Sequence, residues 1–224
     1  MTKDEFLKRL KEDEEYSPGW QVIDDAFEKL YPGQEPSHYG TNIQARAMFG
    51  GDEFLDGYSI YQSPNGYRHF VTYGMTILYG DEEAFGREYN GWGYELTFKL
   101  KDDPEDDGLW AIDMMSNLAR YTFQQGRPFD PDDIIPGNGT PIHIGADSMI
   151  TGLIVVPDTE AETQQCEYGL TEFHQLVGIT EQEQNALKKD VNRVQELIDL
   201  MKADGNLHLV TDMHRTKSYL TEED

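Results

Sequence analysis

The chain has 224 residues, 38% of them hydrophobic, which is enough for a proper core in one large or two small domains; one domain is the simpler interpretation. Lys and Arg number 18 against 43 Asp and Glu, a formal net charge of −25. A field this negative repels nucleic-acid phosphates and anionic membranes, so we expect binding to neither. The acidic excess either serves solubility or suits a basic protein partner.

The number of cysteines and the composition of the first residues indicate the cellular compartment of the protein. The single Cys166 has no partner for an internal disulfide, and the chain opens with charged residues instead of an apolar leader. No apolar run approaches the roughly 20 residues that cross a bilayer. We therefore expect a soluble protein of the reducing cytoplasm.

Two helices are predicted first. The capping-box pair Thr2 and Glu5 predicts a short helix, which we interpret as an N-terminal arm (residues 1–16) on a single domain (residues 17–220). A second helix starts after Ser17, an N-cap residue followed by proline. Its core stripe recurs at helical spacing and comprises Trp20, Ile23, Phe27 and Leu30.

Residues 54–101 change to the periodicity of β-structure. Apolar and polar residues alternate over 94–101, which predicts a half-buried strand. The stretch 69–78 is rich in β-branched and aromatic residues and predicts another strand. Residues 80–93 contain too many glycines and charges for regular structure, so a loop is expected there.

A buried helix is predicted over 112–123, with Gly126 placed to cap its C-terminus. Residues 127–145 carry four prolines among acids and predict an irregular surface loop, a kind of segment that often carries function. Strands are predicted at 152–156 and 173–179.

The capping-box pair Thr180 and Glu183 predicts a third long helix that continues to Met201. Residues 207–211 predict a last strand, and 221–224 a frayed polar tail. Strands that cluster between helices, without a regular βαβ repeat, predict an α+β fold with a mixed, largely antiparallel sheet flanked by helices.

Motifs for catalysis are missing from the sequence. It has no nucleophile elbow, no phosphate-binding glycine loop and no cysteine pair for zinc. His38, His69 and His143 could converge with carboxylates in a metal-dependent hydrolase, which remains the less favoured alternative. We predict no catalytic residue, no metal and no cofactor.

Aromatic residues embedded among acids favour a binding surface. The chain has 13 Tyr, 10 Phe and 3 Trp, and aromatic side chains anchor protein interfaces while acids steer basic partners. Most aromatics belong to the core, but the loops near Tyr39, Tyr67 and Phe129 are harder to bury completely.

Seven separated motifs in one order resemble the Suppressor of fused domain from Pro18 to about Lys217. They are Pro18-Gly19-Trp20 leading through Ile23-Asp24 to Leu30-Tyr31-Pro32, His38-Tyr39, residues 70–80 with Leu78-Tyr79-Gly80-Asp81, Gly93-Tyr94-Glu95-Leu96-Thr97-Phe98-Lys99-Leu100, Leu118-Ala119-Arg120-Tyr121-Thr122-Phe123-Gln124, Leu176-Val177-Gly178-Ile179-Thr180 and Val210-Thr211-Asp212-Met213.

The resemblance implies a mixed α/β fold and a binding role. Animal members of this family sequester a transcription factor by holding a short extended peptide of it, a form of strand addition. Carried over by motif, the family's peptide-contacting tyrosine falls on Tyr121 and its aspartate on Asp133. With the neighbouring Asp132 and Phe129, these residues form the predicted partner-binding surface.

Animal members also have a second, C-terminal domain that closes over the peptide, and we expect this chain to bind without that clamp. Stand-alone members resemble bacterial proteins encoded beside polymorphic toxins, which implies an immunity protein that neutralises a cognate toxin domain; the acidic charge suits a basic one. The alternative is a regulatory or scaffold module in a cytoplasmic assembly. The oligomeric state and the sheet edge used for binding stay open.

Overall fold

A computed structural model describes residues 1–41 and 54–221. The described strands are β1 Ser37–Gly40, β2 Gly57–Ser63, β3 Tyr67–Tyr73, β4 Tyr89–Lys101, β5 Ile134–Ile135, β6 Ile150–Pro157, β7 Gln164–Cys166 and β8 Gly169–Thr180. The described helices are α1 Lys3–Glu12, α2 Pro18–Leu30, α3 Trp110–Gln125, α4 Glu181–Lys189 and α5 Val194–Ala203, with a 3-10 turn at Val191–Arg193. None of these helices is both long and apolar enough to span a membrane.

All eight described strands belong to one sheet, ordered β1-β2-β3-β4-β8-β6-β5, with β7 pairing with the start of β8. Long β4 and β8 lie side by side in parallel at its centre. The remaining described pairings are antiparallel. The predicted α+β fold with a mixed, largely antiparallel sheet is therefore confirmed.

Helices cover both faces of the sheet because successive strand residues point to opposite sides. On one face, α3 packs its buried residues, Met115 among them, against Leu96 and Phe98 of β4. On the other face, α2 packs through Phe27 near β3 and β8, and α4 and α5 cover the end formed by β6 and β8.

A buried ionic network lies at the centre of that second face. Lys99 of β4 is fully buried, and its ammonium lies 2.9 Å from Asp158 Oδ1 and 2.8 Å from Glu160 Oε2. The other oxygen of Asp158 accepts hydrogen bonds from His69 at 2.9 Å and Thr97 at 2.6 Å. Each buried charge thus has an opposite charge and hydrogen-bond partners, as burial of a charge requires.

Helix α1 is docked on the rest of the chain. Thr2 and Glu5 form both bonds of the predicted capping box. Phe6 is fully buried, and its ring lies 5.0 Å from that of Phe85 and 5.8 Å from that of Tyr168. The division into an arm (1–16) and a domain (17–220) stays a prediction.

The predicted third long helix is wrong, because the structure divides it into α4 and α5. Asp190 adopts an extended conformation, and its side chain accepts the backbone N–H of Asn192. A carboxylate that bonds its own backbone two residues ahead competes with helical hydrogen bonding. As a result Val191, inside the predicted helix, is 51% exposed.

Two predicted strands also differ from the observed ones. The strand predicted over 69–78 ends at Tyr73, because the next residues turn so that the N–H groups of Gly74 and Thr76 bond the Glu95 carboxylate at 3.1 and 2.9 Å. The last strand, predicted over 207–211, is reduced to one bridge between Thr211 and Leu100.

The other boundary differences are smaller. Strand β4 starts at Tyr89, inside the predicted loop 80–93. The loop predicted over 127–145 contains the two-residue strand β5. The predicted polar tail lies, after Thr221, outside the described residues.

Candidate partner-binding site

The segment that carries the predicted site is held by the central strands. After Gly126 ends α3 in a left-handed conformation (φ 65°), the backbone N–H of Phe129 donates to Tyr94 Oη at 3.0 Å and its carbonyl accepts from His174 Nδ1 at 2.8 Å. The Tyr94 and His174 rings stack 4.3 Å apart. Residues from β4 and β8 therefore fix the position of Phe129 on both sides of its backbone.

Tyr121 and Phe129 form an aromatic pair next to this anchor. Tyr121 lies in the last turns of α3 and is 42% exposed. Its ring centroid is 5.5 Å from that of the half-buried Phe129. Two large rings, one exposed and one with a fixed backbone, provide rigid contact area at low entropic cost.

Asp133 is held in a tight turn just before β5. Its Oδ2 accepts the N–H of Asp130 at 2.9 Å, and its own N–H donates to the Asp130 carbonyl at 3.0 Å. The preceding Asp132 has φ 73° and donates its N–H to Val155 at 2.9 Å. The side chain of Asp133 is half-buried, whereas Asp132 is exposed.

These residues surround an apolar groove of about 370 Å³, which we call the β5 groove. Its walls include Tyr121, Phe129 and Asp133, so the structure brings together three of the four predicted residues, and Asp132 is not part of the lining. The other lining residues are Leu118, Arg127, Pro128, Ile134, Ile135 and Pro136. All but Leu118 lie in the predicted functional loop 127–145, and Leu118 lies three residues before Tyr121 on one helix face.

The β5 groove lies beside an edge of the sheet. Strand β5 pairs with β6 on one side only among the described residues. The N–H of Val155 in β6 donates to the Asp133 carbonyl at 2.9 Å. Backbone groups of a strand alternate in direction, so the N–H and C=O of the next residue, Ile134, point away from β6. They are placed to pair with an added strand, although Pro136 limits its length.

The histidines named for a metal site lie apart. His38 hydrogen-bonds Ser59 at 3.0 Å, His69 belongs to the buried ionic network, and His143 stacks on Trp110 on the other face of the sheet. Within residues 1–41 and 54–221 there is no group of three or more metal-ligating side chains positioned to hold an ion.

Tyr39 and Tyr67, which were expected in loops that are hard to bury, and the single cysteine differ in their surroundings. Tyr39 is 41% exposed, as expected. The expectation for Tyr67 was wrong: it is 2% exposed, because its hydroxyl donates to Glu160 in the buried network. Burial raises the pKa of the Cys166 thiol, which makes this cysteine a poor nucleophile.

Comparison with known proteins agrees with the motif series. The family model described as Suppressor of fused protein (SUFU) matches residues 51–216. The chain belongs to the Suppressor of fused family. A human Suppressor of fused homolog is 29% identical over 211 residues, covering 88% of this chain but 43% of the human protein. The chain thus spans less than half the length of this curated relative.

Solved structures share the Suppressor of fused fold. A chain of the Sufu-Fu complex crystal structure matches with a TM-score of 0.78 and 26% identity, covering 90% of this chain and 92% of that one. A putative SUFU homolog from Neisseria gonorrhoeae matches with a TM-score of 0.59 and 14% identity, covering 90% of this chain and 96% of that one. At this identity the second match shows the fold alone.

The structure also explains two glycines in the Suppressor of fused motifs. A Cβ on Gly19 would overlap the carbonyl of Ile77, so the start of α2 packs directly on this backbone. A Cβ on Gly178 would lie 2.6 Å from Thr211, whose Oγ1 accepts the Gly178 N–H at 2.9 Å. Motifs distant in the sequence therefore meet in the folded chain.

Proposed function

We propose that the β5 groove binds an extended segment of a partner protein, which adds to β5 as a short strand. The observation that carries this proposal is the convergence of Tyr121, Phe129 and Asp133 around an apolar groove at an open strand edge. Main-chain bonds to Ile134 would give affinity, the two rings would hold an apolar side chain, and the Asp133 carboxylate would accept a donor from the partner.

The biological role that we propose is neutralisation of a cognate toxin by tight binding, without catalysis, in the cytoplasm. The net charge of −25 supports a basic partner, since complementary charge speeds encounter. A bacterial SUFU homolog shares the fold, so this architecture occurs in bacteria. The alternative is a regulatory module, which is supported by the likeness to a chain from a Sufu-Fu complex.

Substitutions at two adjacent carboxylates test whether the β5 groove is the binding site. Asp133→Asn and Asp132→Asn change the net charge equally. Both should keep the local fold, because asparagine tolerates the left-handed backbone at 132 and an asparagine oxygen at 133 can still accept the Asp130 N–H. Loss of a hydrogen bond to a charged group costs about 1.5–3 kcal/mol, so Asp133→Asn should weaken a purified complex about 10-fold or more. Asp132→Asn should change the affinity by less than about 3-fold.

The aromatic wall is tested in the same complex. Tyr121→Ala should weaken it about 10-fold or more, since truncated aromatic anchors often cost over 1–2 kcal/mol. Tyr89→Ala, which removes a tyrosine of similar exposure (45% against 42%) on β4, should not. Equal effects of the two tyrosine variants, or of the two aspartate variants, would place the interface elsewhere.

The partner itself is found by affinity purification of the tagged chain from its native cell at native expression. The immunity role predicts one dominant, stoichiometric partner and survival of cells that express the toxin domain encoded nearby. Absence of protection, together with recovery of a kinase or a transcription factor instead, would favour the regulatory alternative.

A further inference from the structure

A second apolar cavity continues from the β5 groove along α3. It encloses about 430 Å³ and shares Leu118, Ile135 and Pro136 with the groove. We call it the Trp110 cavity, after the residue at its far end. Trp110 is stacked on His143 with ring centroids 4.8 Å apart, and its indole N–H donates to Asp106 at 2.9 Å.

One face of α3 forms a common wall for both spaces. The wall residues recur three or four positions apart and are Trp110, Asp113, Met114, Asn117, Leu118 and Tyr121. From Trp110 to Tyr121, eleven steps along the helix, the axis rises by about 16 Å. An extended chain advances about 3.3 Å per residue, so the two spaces together accommodate about five consecutive residues of an extended segment.

The Trp110 cavity contains a buried polar group without a partner. Thr151 lines the cavity and is 8% exposed, and its Oγ1 has no hydrogen-bond partner in the described part of the chain. A buried hydroxyl left unpaired is unfavourable, because it has lost its hydrogen bonds to water without a replacement. Thr151 Oγ1 has almost no accessible surface in the unbound chain, so a bound group recovers that cost when the cavity wall adjusts to expose the hydroxyl.

The backbone around Thr151 is unusual in two ways. The pairing of β6 with β8 shifts its register between Ile150 and Gly152, so Thr151 is an extra residue in the strand. Such bulges re-aim side chains next to binding sites. The neighbouring Gly137 lies so close to the Thr151 carbonyl that a Cβ there would overlap it, which keeps this wall of the cavity bare backbone.

The charge of the cavity favours one kind of occupant. Its lining includes the exposed Asp113 and, among the described residues, no lysine or arginine. Ile144, at 88% exposure, adds an uncovered apolar side chain to the same lining. The space therefore suits an apolar side chain followed by a basic one.

We propose that the Trp110 cavity is a specificity subsite for the continuation of the segment that binds the β5 groove. It accepts an apolar side chain, Thr151 Oγ1 pairs with a polar group of that segment, and Asp113 selects a basic residue beyond it. This inference rests on the proposed function. The β5 groove and the Trp110 cavity together would contact about five residues of the partner, and the Trp110 cavity would determine selectivity among partners.

The probe for the test is a library of random twelve-residue peptides displayed on phage and selected on the purified chain. The strongest binder is synthesised in full and as the shortest fragment whose binding is lost in Tyr121→Ala. Affinities of both for each variant are measured by fluorescence polarisation. We expect an apolar-basic pair in the full peptides beyond this shortest fragment.

Thr151→Val is the decisive variant because it removes only the unpaired hydroxyl. Unbound, the variant should be as stable as the wild type or more so, yet it should bind the full peptide about 5-fold or more weaker. Ile144→Ser, which removes the apolar contact without adding a charge, should likewise weaken the full peptide. Neither variant should change binding of the short fragment.

The outcomes separate the two proposals. Full peptides that depend on Tyr121 but are indifferent to Thr151→Val and Ile144→Ser would overturn the subsite and leave the proposed function intact. A selection that yields no peptide sensitive to Tyr121→Ala would contradict the proposed function and the subsite with it.

Discussion

Lys99→Met measures how much the buried ionic network contributes to the free energy of unfolding. The ammonium of Lys99 donates to Asp158 at 2.9 Å and Thr159 at 2.7 Å, and pairs with Glu160 at 2.8 Å. Methionine is an unbranched side chain of similar length without a donor, so it can occupy the space but leaves both carboxylates without this cation. Asp158 retains a bond from His69 at 2.9 Å, which limits the loss.

Removal of one partner from a buried ion pair costs about 3–5 kcal/mol, a large share of the roughly 5–15 kcal/mol that stabilises a typical protein. The matched control is Lys101→Met, two residues further along β4. Its pair with Asp212 is equally short at 2.7 Å, but the two side chains are 58% and 28% exposed. Exposed pairs contribute about 0.2–1 kcal/mol, so burial is the main difference between the variants.

The assay is urea unfolding followed by tryptophan fluorescence at pH 7. The free energy of unfolding should fall by about 3–5 kcal/mol for Lys99→Met and by no more than about 1 kcal/mol for Lys101→Met. In thermal melts, the first change should lower the Tm by about 6–20 °C. Similar losses for the two variants would refute the argument that burial determines the contribution of the pair.

Three further predictions concern stability. Burial raises the pKa of Asp158, but neighbouring cations and a hydroxyl outweigh it and hold this pKa far below its usual range. Ionised Asp158 thus contributes stability above its unfolded pKa of about 3.9, and this contribution is lost as the pH falls from there towards its folded pKa. In urea titrations from pH 6 to 3, the free energy of unfolding should therefore fall more steeply for the wild type than for Asp158→Asn. Phe6→Ala should release α1, seen as early proteolysis confined to residues 1–16; global unfolding without such cleavage would show that the arm is integral to the core. Gly19→Ala should lower the free energy of unfolding by about 1–3 kcal/mol, seen as a lower Tm, whereas Gly40→Ala, where a Cβ meets no atom of the described residues within 4 Å, should not.

Local sequence determined those features whose interactions are local. Thr2 and Thr180 were recognised as helix caps because the bonding partner lies three residues ahead. The strand over 94–101 followed from strict alternation, since one face of β4 packs on α3. The expected half-burial was wrong, because the polar face with Glu95, Thr97 and Lys99 is also fully buried. The family, and with it Tyr121 and Asp133, followed from motifs rather than from any physical pattern.

Tertiary structure decided the features that depend on distant residues. The sequence around Tyr67 gives no sign of burial, because its partner Glu160 is 93 positions away. Residues 207–211 have strand composition, but only Thr211 forms a bridge to the sheet.

The binding surface has the same dependence on distant residues. Tyr121, Ile135 and Thr151 lie on a helix and two strands, and pairing of β5 with β6 next to α3 creates both the groove and the cavity. The sequence by itself determined which residues a partner was expected to meet. Only the fold decided that three of these four residues line a groove at an open strand edge and that an unpaired hydroxyl lies beyond it, because both depend on which distant segments pack together.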